Sequence, residues 1–205
     1  MPTHHKLEVH GKALASGRGA EDLSVSCGHR LTSALLLAFL LSSGASAQQT
    51  QPSEYQLKAA FVFHFAEFVD WPARAFTAPG SPMIIGILGD NPFGNELEQA
   101  VRGKSLNNHP LTVKPISSVA EAATNCHILF VSSSEKKRFP EIFTGLGKAS
   151  VLTVGETDRF NESGGMINFT LEGGKIRFQI NDAAAKRAGL KISSKLMSLA
   201  TRSSP

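Results

Sequence analysis

Polar side chains that could bind a ligand follow three of the apolar runs in this chain, and they are Asp90, Asn91, Ser133 and Glu156. Each precedes a predicted helix, whose first N–H groups could bind an anion. If the runs are strands of a parallel sheet, these side chains meet at the sheet edge where ligands bind. The pattern predicts a site for a small ligand, such as one that carries a phosphate group. The alternative, that these residues only cap helices, stays open.

Arg177 is a further candidate for ligand binding. It lies with Gln179 on one face of the segment KIRFQI, and Asn168 and Thr170 lie across the predicted turn. These side chains together offer several hydrogen-bond donors and acceptors. Two interpretations remain open, a solvated sheet face and part of a ligand or partner surface.

Motifs for nucleotide binding and catalysis are missing. The loop GDNPFG is not a G-x-G-x-x-G motif, and the chain has no G-x-x-x-x-G-K-[ST] loop. The serine run at 132–134 has no G-x-S-x-G elbow, and no histidine is spaced to act as its base. We therefore predict no catalytic residues and no enzymatic activity.

The histidines and cysteines do not form a metal site in the sequence. His127 is adjacent to Cys126 on a predicted strand, and adjacent strand residues point to opposite faces. His64 lies on a predicted helix face and His109 in a turn. No metal and no cofactor are predicted.

The charge of the chain argues against a nucleic-acid partner. Its 21 Lys and Arg residues exceed its 17 Asp and Glu residues by only four. These basic residues are scattered and form no block. Proteins that bind nucleic acids usually concentrate basic residues on one face.

Four strands are predicted in alternation with helices, and they cover 83–88, 111–116, 126–131 and 150–154. This alternation favours an α/β fold with a mainly parallel sheet between two layers of helices. Pro115 places the second strand at an edge. Two further strands around Gly173 and Gly174 predict a C-terminal antiparallel hairpin that extends the sheet.

The segment Tyr55–Pro72 is predicted to be one helix that Pro72 ends. Its broad apolar face comprises Leu57, Phe61, His64, Phe65, Phe68 and Trp71. Phe63 falls on the opposite side between Glu67 and Asp70, where no core is expected. We predict that the helix also binds a partner, through Phe61, Phe63, Phe65 and Trp71.

A signal peptide is predicted upstream of this helix. Residues 31–44 form an apolar run with Arg30 before it and Ala45-Ser46-Ala47 after it. The run is too short for a typical membrane span and matches a cleavable leader. We predict a leader at 1–47, a flexible linker at 48–54 and a folded domain at 55–202. An uncleaved anchor is the alternative.

Six segments together resemble the YfiR-like family of exported bacterial proteins. They are YQLKAAFVFHFAEFVDWP, GDNPFG, CHILFVSSSE, VLTVGE, GGMINFTLEGGKIRFQIN and AGLKISSKLMSLA, which span about residues 55–200. The resemblance implies a Rossmann-like three-layer sandwich. It implies no catalytic residues.

The resemblance also implies a function. It points to a periplasmic, non-enzymatic protein that binds and represses an inner-membrane signalling protein, a diguanylate cyclase, and so limits cyclic-di-GMP and biofilm formation. A sensor kinase as partner, a homodimer, and a periplasmic small-ligand or nucleotide-binding protein without a cyclase partner are the alternatives. The disulfides of the best-known member have no counterpart here, since only Cys126 follows the leader.

Overall fold

A computed structural model of the chain describes residues 52–201, so the predicted leader and most of the predicted linker lie outside the described residues. The helices are α1 (Glu54–Glu67), α2 (Glu96–Val101), α3 (Val119–Asn125), α4 (Phe139–Leu146), α5 (Asp182–Arg187) and α6 (Ser194–Leu199). The strands are β1 (Val69–Asp70), β2 (Met83–Leu88), β3 (Ser105–Leu106), β4 (His109–Ile116), β5 (Ile128–Val131), β6 (Leu152–Gly155), β7 (Ile167–Glu172), β8 (Lys175–Ile180) and β9 (Lys191–Ile192). Within these residues, no helix has the length and apolar character needed to cross a bilayer.

The main sheet has seven strands in the order β3-β4-β2-β5-β6-β7-β8. Strands β4, β2, β5, β6 and β7 are parallel, and β3 and β8 pair antiparallel at the two ends. The predicted Rossmann-like α/β fold is confirmed. The predicted C-terminal antiparallel hairpin, β7 and β8, extends the sheet, and its first strand, β7, joins β6 in parallel.

Two apolar clusters separate the three layers. In β2, Ile85 and Ile87 face a cluster that includes residues of α1, α2, α5 and α6. Ile84 and Leu88 face the other cluster, with residues of α3 and α4. Because successive strand residues point to opposite faces, a strand covered on both sides needs an uninterrupted apolar run, as MIIGIL provides.

Helix α1 buries a different face from the predicted one. It starts with a capping box between Ser53 and Gln56. Its buried residues are Lys58, Ala59, Val62, Phe65 and Ala66. Leu57 is 40% exposed and His64 is also exposed, so the predicted inward position of both is wrong.

Helix α1 also ends earlier than predicted. The last helical residue is Glu67, five residues before Pro72. The chain then becomes extended, because β1 pairs antiparallel with β9 and the N–H of Ser193 donates to the carbonyl of Phe68. Trp71 therefore lies beyond the helix. The helix ends where the chain pairs with β9, which lies more than a hundred residues later in the sequence. No residue near Glu67 signals this end.

The predicted cap of the second helix is also wrong. Helix α2 starts at Glu96, after a turn that contains Pro92. Asn91 closes that turn instead, since its Oδ1 accepts from the N–H of Phe93 and its Nδ2 donates to the carbonyl of Gly94. An Asx turn of this kind uses the same side chain as a cap would.

Candidate functional site

A cleft of about 530 Å³ opens beyond the end of β6, between α1 and β7. Its polar lining includes Glu54, Tyr55, Lys58, Ser133, Glu156 and Asp158. We call it the sheet-end cleft. It lies at the carboxyl end of the parallel strands, where α/β proteins bind ligands.

Lys58 is the central side chain of this cleft. It projects from the buried face of α1 and is only 4% exposed. Its Nζ lies 2.6 Å from Glu156 Oε2 and 2.5 Å from Glu54 Oε1. The Tyr55 hydroxyl donates to Glu156 Oε1 at 3.3 Å, and the ammonium lies 4.8 Å from the centre of the Tyr55 ring. The cluster ties the first turns of α1 to the end of β6.

The environment keeps Lys58 charged. Burial acts to lower the pKa of Lys58, but its hydrogen bonds to Glu156 and Glu54 outweigh that effect, and the pKa is raised overall. Burial is the main cause that raises the pKa of Tyr55, and the negative charge of Glu156 is the second. Neither Lys58 nor Tyr55 is therefore prepared to accept a proton near neutral pH. The hydrogen bonds of the cluster act as a clamp between α1 and the residue that follows β6.

The charge of the cleft disfavours an anionic ligand. Three carboxylates, those of Glu54, Glu156 and Asp158, surround one ammonium group. The one buried cation is already held by two of these carboxylates. The prediction of a phosphate-bearing ligand therefore gains no support from this geometry.

The five predicted ligand residues do not form one site. Ser133 and Glu156 line the sheet-end cleft, and Asp90, Asn91 and Arg177 do not. The N–H of Asp90 donates to the Ser134 hydroxyl, and Arg177 is an exposed residue of β8. The reason is the strand order, which places β5 between β2 and β6. Two strand spacings are about 10 Å, so the side chains after β2 and β6 are not neighbours.

The sequence interpretation missed Lys58 and Tyr55. A signal was present, because Lys58 precedes Val62 by four residues and Phe65 by seven, which is the spacing of a single helix face. Glu54 lies four residues before Lys58, which is the spacing of a helical ion pair. The interpretation followed the larger aromatic residues to a neighbouring face instead.

The predicted aromatic surface is partly internal. Phe65 is 0% exposed and packs against Phe169 and Phe178, with ring centres 5.5 and 5.1 Å away. Its predicted place on an accessible surface is wrong, because it lies on the face of α1 that covers the sheet. Phe61 and Trp71 are half-buried.

Phe63 is also less exposed than predicted. It is half-buried in an open groove of about 340 Å³ between α1 and α2, which Ala60, Gln99 and Lys104 also line. We call this the α1–α2 groove. The Lys104 ammonium lies 3.8 Å from the centre of the Phe63 ring, a cation–π contact. No core was expected on this side of α1, but α2 lines the groove and covers part of Phe63.

Cys126 and His127 have structural surroundings. Burial raises the pKa of Cys126 to about 12. Burial lowers the pKa of His127, whose Nδ1 accepts from the N–H of Ile84 at 3.1 Å. Over residues 52–201, no group of three or more His, Cys, Asp or Glu residues is placed to bind a metal ion.

Comparison with known families decides the assignment. The model of the YfiR/HmsC-like family matches residues 55–201, which include nearly all of α1 and every later element. The chain belongs to the YfiR/HmsC-like family. No curated protein matches the chain.

One solved structure shares the fold at low sequence identity. A conserved domain protein from Vibrio cholerae O1 biovar El Tor superposes with a TM-score of 0.51 and 12% identity, over 74% of this chain and 60% of that chain. The chain thus spans less than two thirds of that protein, and the likeness shows the fold alone. An ABC domain from Streptococcus pneumonia, in complex with L-Trp, has a TM-score of 0.48 and 12% identity, over 72% of this chain and 59% of that one.

The Lys58 cluster predicts a strong energetic coupling. Lys58→Met should lower the free energy of unfolding by about 3 kcal/mol, because it leaves the Glu156 carboxylate, 10% exposed, without its cation. The double variant Lys58→Met/Glu156→Gln should lose at least about 1 kcal/mol less than the sum of the two single variants. Urea unfolding at neutral pH measures the free energy of unfolding of Lys58→Met, Glu156→Gln and the double variant.

A control and a pH series complete this test. Lys186→Met, which breaks an exposed pair with Asp182, should cost less than about 1 kcal/mol. The raised pKa means that the contribution of Lys58 is present below its unfolded pKa of about 10.4 and disappears as pH rises through the folded value. Additive single variants would contradict the clamp.

Proposed function

We propose that this protein is a periplasmic regulator that binds the periplasmic part of an inner-membrane diguanylate cyclase and holds it inactive. The observation that carries the proposal is the family match over residues 55–201. Characterised members of the YfiR-like family act as periplasmic regulators of such cyclases. The signal-peptide pattern at 31–47 fits the same compartment.

The α1–α2 groove supports a binding role. Phe63 presents part of its ring beside Ala60 and the ammonium group of Lys104. Partly exposed aromatic residues at the centre of a contact supply much of the energy of protein interfaces. The groove also contains Glu96 and His64, which provide polar groups for a rim.

The sheet-end cleft supports a role without catalysis. Its one ammonium group is held by two carboxylates, and neither Lys58 nor Tyr55 is prepared to accept a proton. Its acidic lining gives nucleotide binding no support. A protein that acts by occupying a partner needs surfaces of stable shape, and the Lys58 clamp contributes one.

The cellular experiment is removal and restoration of the gene. Deletion should raise cyclic-di-GMP several-fold in the source bacterium, because the cyclase loses its restraint. The full chain should restore the low level, and a chain lacking residues 1–47 should not, because it stays in the cytoplasm. An unchanged cyclic-di-GMP level in the deletion strain would contradict the proposal.

The α1–α2 groove gives a prediction at one residue. Phe63→Ala should weaken binding to the periplasmic domain of the cyclase about tenfold or more, because truncation removes the aromatic contact. The free energy of unfolding should fall by about 1–2 kcal/mol, less than for a fully buried phenylalanine. Calorimetric titration and urea unfolding measure the two effects.

The matched control is Phe143→Ala. Phe143 is also half-buried, but it packs against Phe139 and Phe160 on the other face of the sheet. This variant should lose similar stability and keep its affinity. Equal affinities for the two variants would exclude the α1–α2 groove as the binding surface.

A further inference from the structure

Strand β7 continues past the end of its neighbour β6. The pairing of β6 with β7 ends at Gly155 and Asn168. The pairing of β7 with β8 continues to Glu172 and Lys175. Residues 169–172, about 13 Å of strand at roughly 3.3 Å per residue, therefore have a strand partner on one side only. Their other side faces the sheet-end cleft, which Phe169, Thr170 and Leu171 line.

The hairpin geometry identifies the backbone groups that face the cleft. Gly173 and Gly174 form a two-residue turn with φ of 57° and 73°, so Glu172 and Lys175 are the hydrogen-bonded closing pair. Hydrogen-bonded pairs alternate with pairs whose N–H and C=O groups point outward. Leu171 and Ile176 form an outward-pointing pair. The N–H and C=O of Leu171 therefore point away from β8, toward the side on which β6 has already ended.

An independent hydrogen bond agrees with this alternation. Phe178 pairs with Phe169 and belongs to the same class as Leu171. Its carbonyl should point away from β7, and it accepts a hydrogen bond from the N–H of Thr201 at 2.9 Å. Among residues 52–201, the N–H and C=O of Leu171 form no backbone hydrogen bond outside the strand ladders.

The side chains around this edge favour a basic, partly apolar occupant. Leu171 is 58% exposed, which is unusual for a leucine within a strand. Thr170 contributes a buried hydroxyl that has no hydrogen-bond partner. The carboxylates of Glu54 and Asp158 lie at the same cleft, and the ammonium of Lys58 is held within it. The cleft thus has an excess of negative charge.

We propose that the sheet-end cleft receives an extended segment of another polypeptide, which pairs as a strand with β7 at Leu171. A Lys or Arg side chain of that segment lies against Glu54 and Asp158, and an apolar side chain covers Leu171. Strand addition to an open sheet edge is a common mode of peptide recognition, in which backbone hydrogen bonds supply much of the affinity. Which chain supplies the segment rests on the proposed function, but the recognition itself does not.

Amide hydrogen exchange on the full chain tests the pairing directly. The probe is a short capped peptide in which lysine alternates with valine. At saturating peptide, exchange of the Leu171 amide should slow at least about tenfold, because its N–H becomes hydrogen-bonded. The Ile176 amide is the internal control, since it faces the opposite edge of the hairpin and should be unchanged. No slowing at Leu171 would overturn the proposal.

Variants separate backbone pairing from side-chain contact. Leu171→Pro removes an N–H that points away from β8, so the hairpin loses no hydrogen bond, and it should weaken peptide binding at least tenfold. Leu171→Thr also changes the side chain but keeps the N–H, and it should bind within about threefold of the original. Asp158→Asn should weaken binding several-fold, and the nearby Glu162→Gln should not. Fluorescence anisotropy measures each affinity.

Three results would overturn the proposal in these measurements. The first is equal binding by Leu171→Pro and the unaltered chain. The second is equal binding of a peptide in which glutamate replaces lysine. The third is a dimer of the chain alone that Leu171→Pro dissociates, because the edge would then be filled by a second copy.

Discussion

The ion pair between Lys58 and Glu156 fixes how the other parts of this protein meet. It connects the first turns of α1 to the residue directly after β6, across about one hundred residues of sequence. At its other end, α1 is held by the pairing of β1 with β9. A helix fixed at both ends presents one face to the sheet and the other outward without freedom to rotate. The positions of both the α1–α2 groove and the sheet-end cleft follow from this constraint.

The two candidate surfaces differ in chemistry because of this arrangement. The α1–α2 groove is open, and Phe63 lies in it beneath a single lysine. The sheet-end cleft is acidic and has an unpaired strand edge at Leu171. The α1–α2 groove suits an apolar side chain of a partner, and the sheet-end cleft suits an extended basic segment. Under the proposed function, both surfaces contact the same partner, since two weak contacts on one chain reinforce each other.

Much of the fold followed from local patterns in the sequence. The run MIIGIL is apolar throughout, and CHILFV is apolar except for His127, because both strands are covered on both faces. The Gly173-Gly174 turn determines its hairpin by backbone geometry alone. The parallel pairing of β7 with β6 did not follow, since it depends on which edge the chain reaches after a loop. The end of α1 at Glu67 also depends on a distant partner, β9.

The candidate site was less predictable than the fold, for a physical reason. Strand ends in a parallel sheet share an edge, but the strand order decides which of them are neighbours. Glu156 and Ser133 reach one cleft, while Asp90 follows β2, two strands away from Glu156. The Lys58 clamp was hidden because a lysine on a helix suggests solvent, although its spacing from Val62 and Phe65 placed it on the buried face. Buried lysines are found where carboxylates are available to pair with them.

We propose that this chain acts by holding a membrane protein through the outward side of α1. The most direct measurement is photo-crosslinking in living cells, with a crosslinking amino acid in place of Phe63 in one strain and of Phe143 in another. The account predicts that the variant at position 63 is joined to an inner-membrane protein with a periplasmic domain and that the variant at position 143 is not. Crosslinks of equal yield from both positions, or none from position 63, would contradict it.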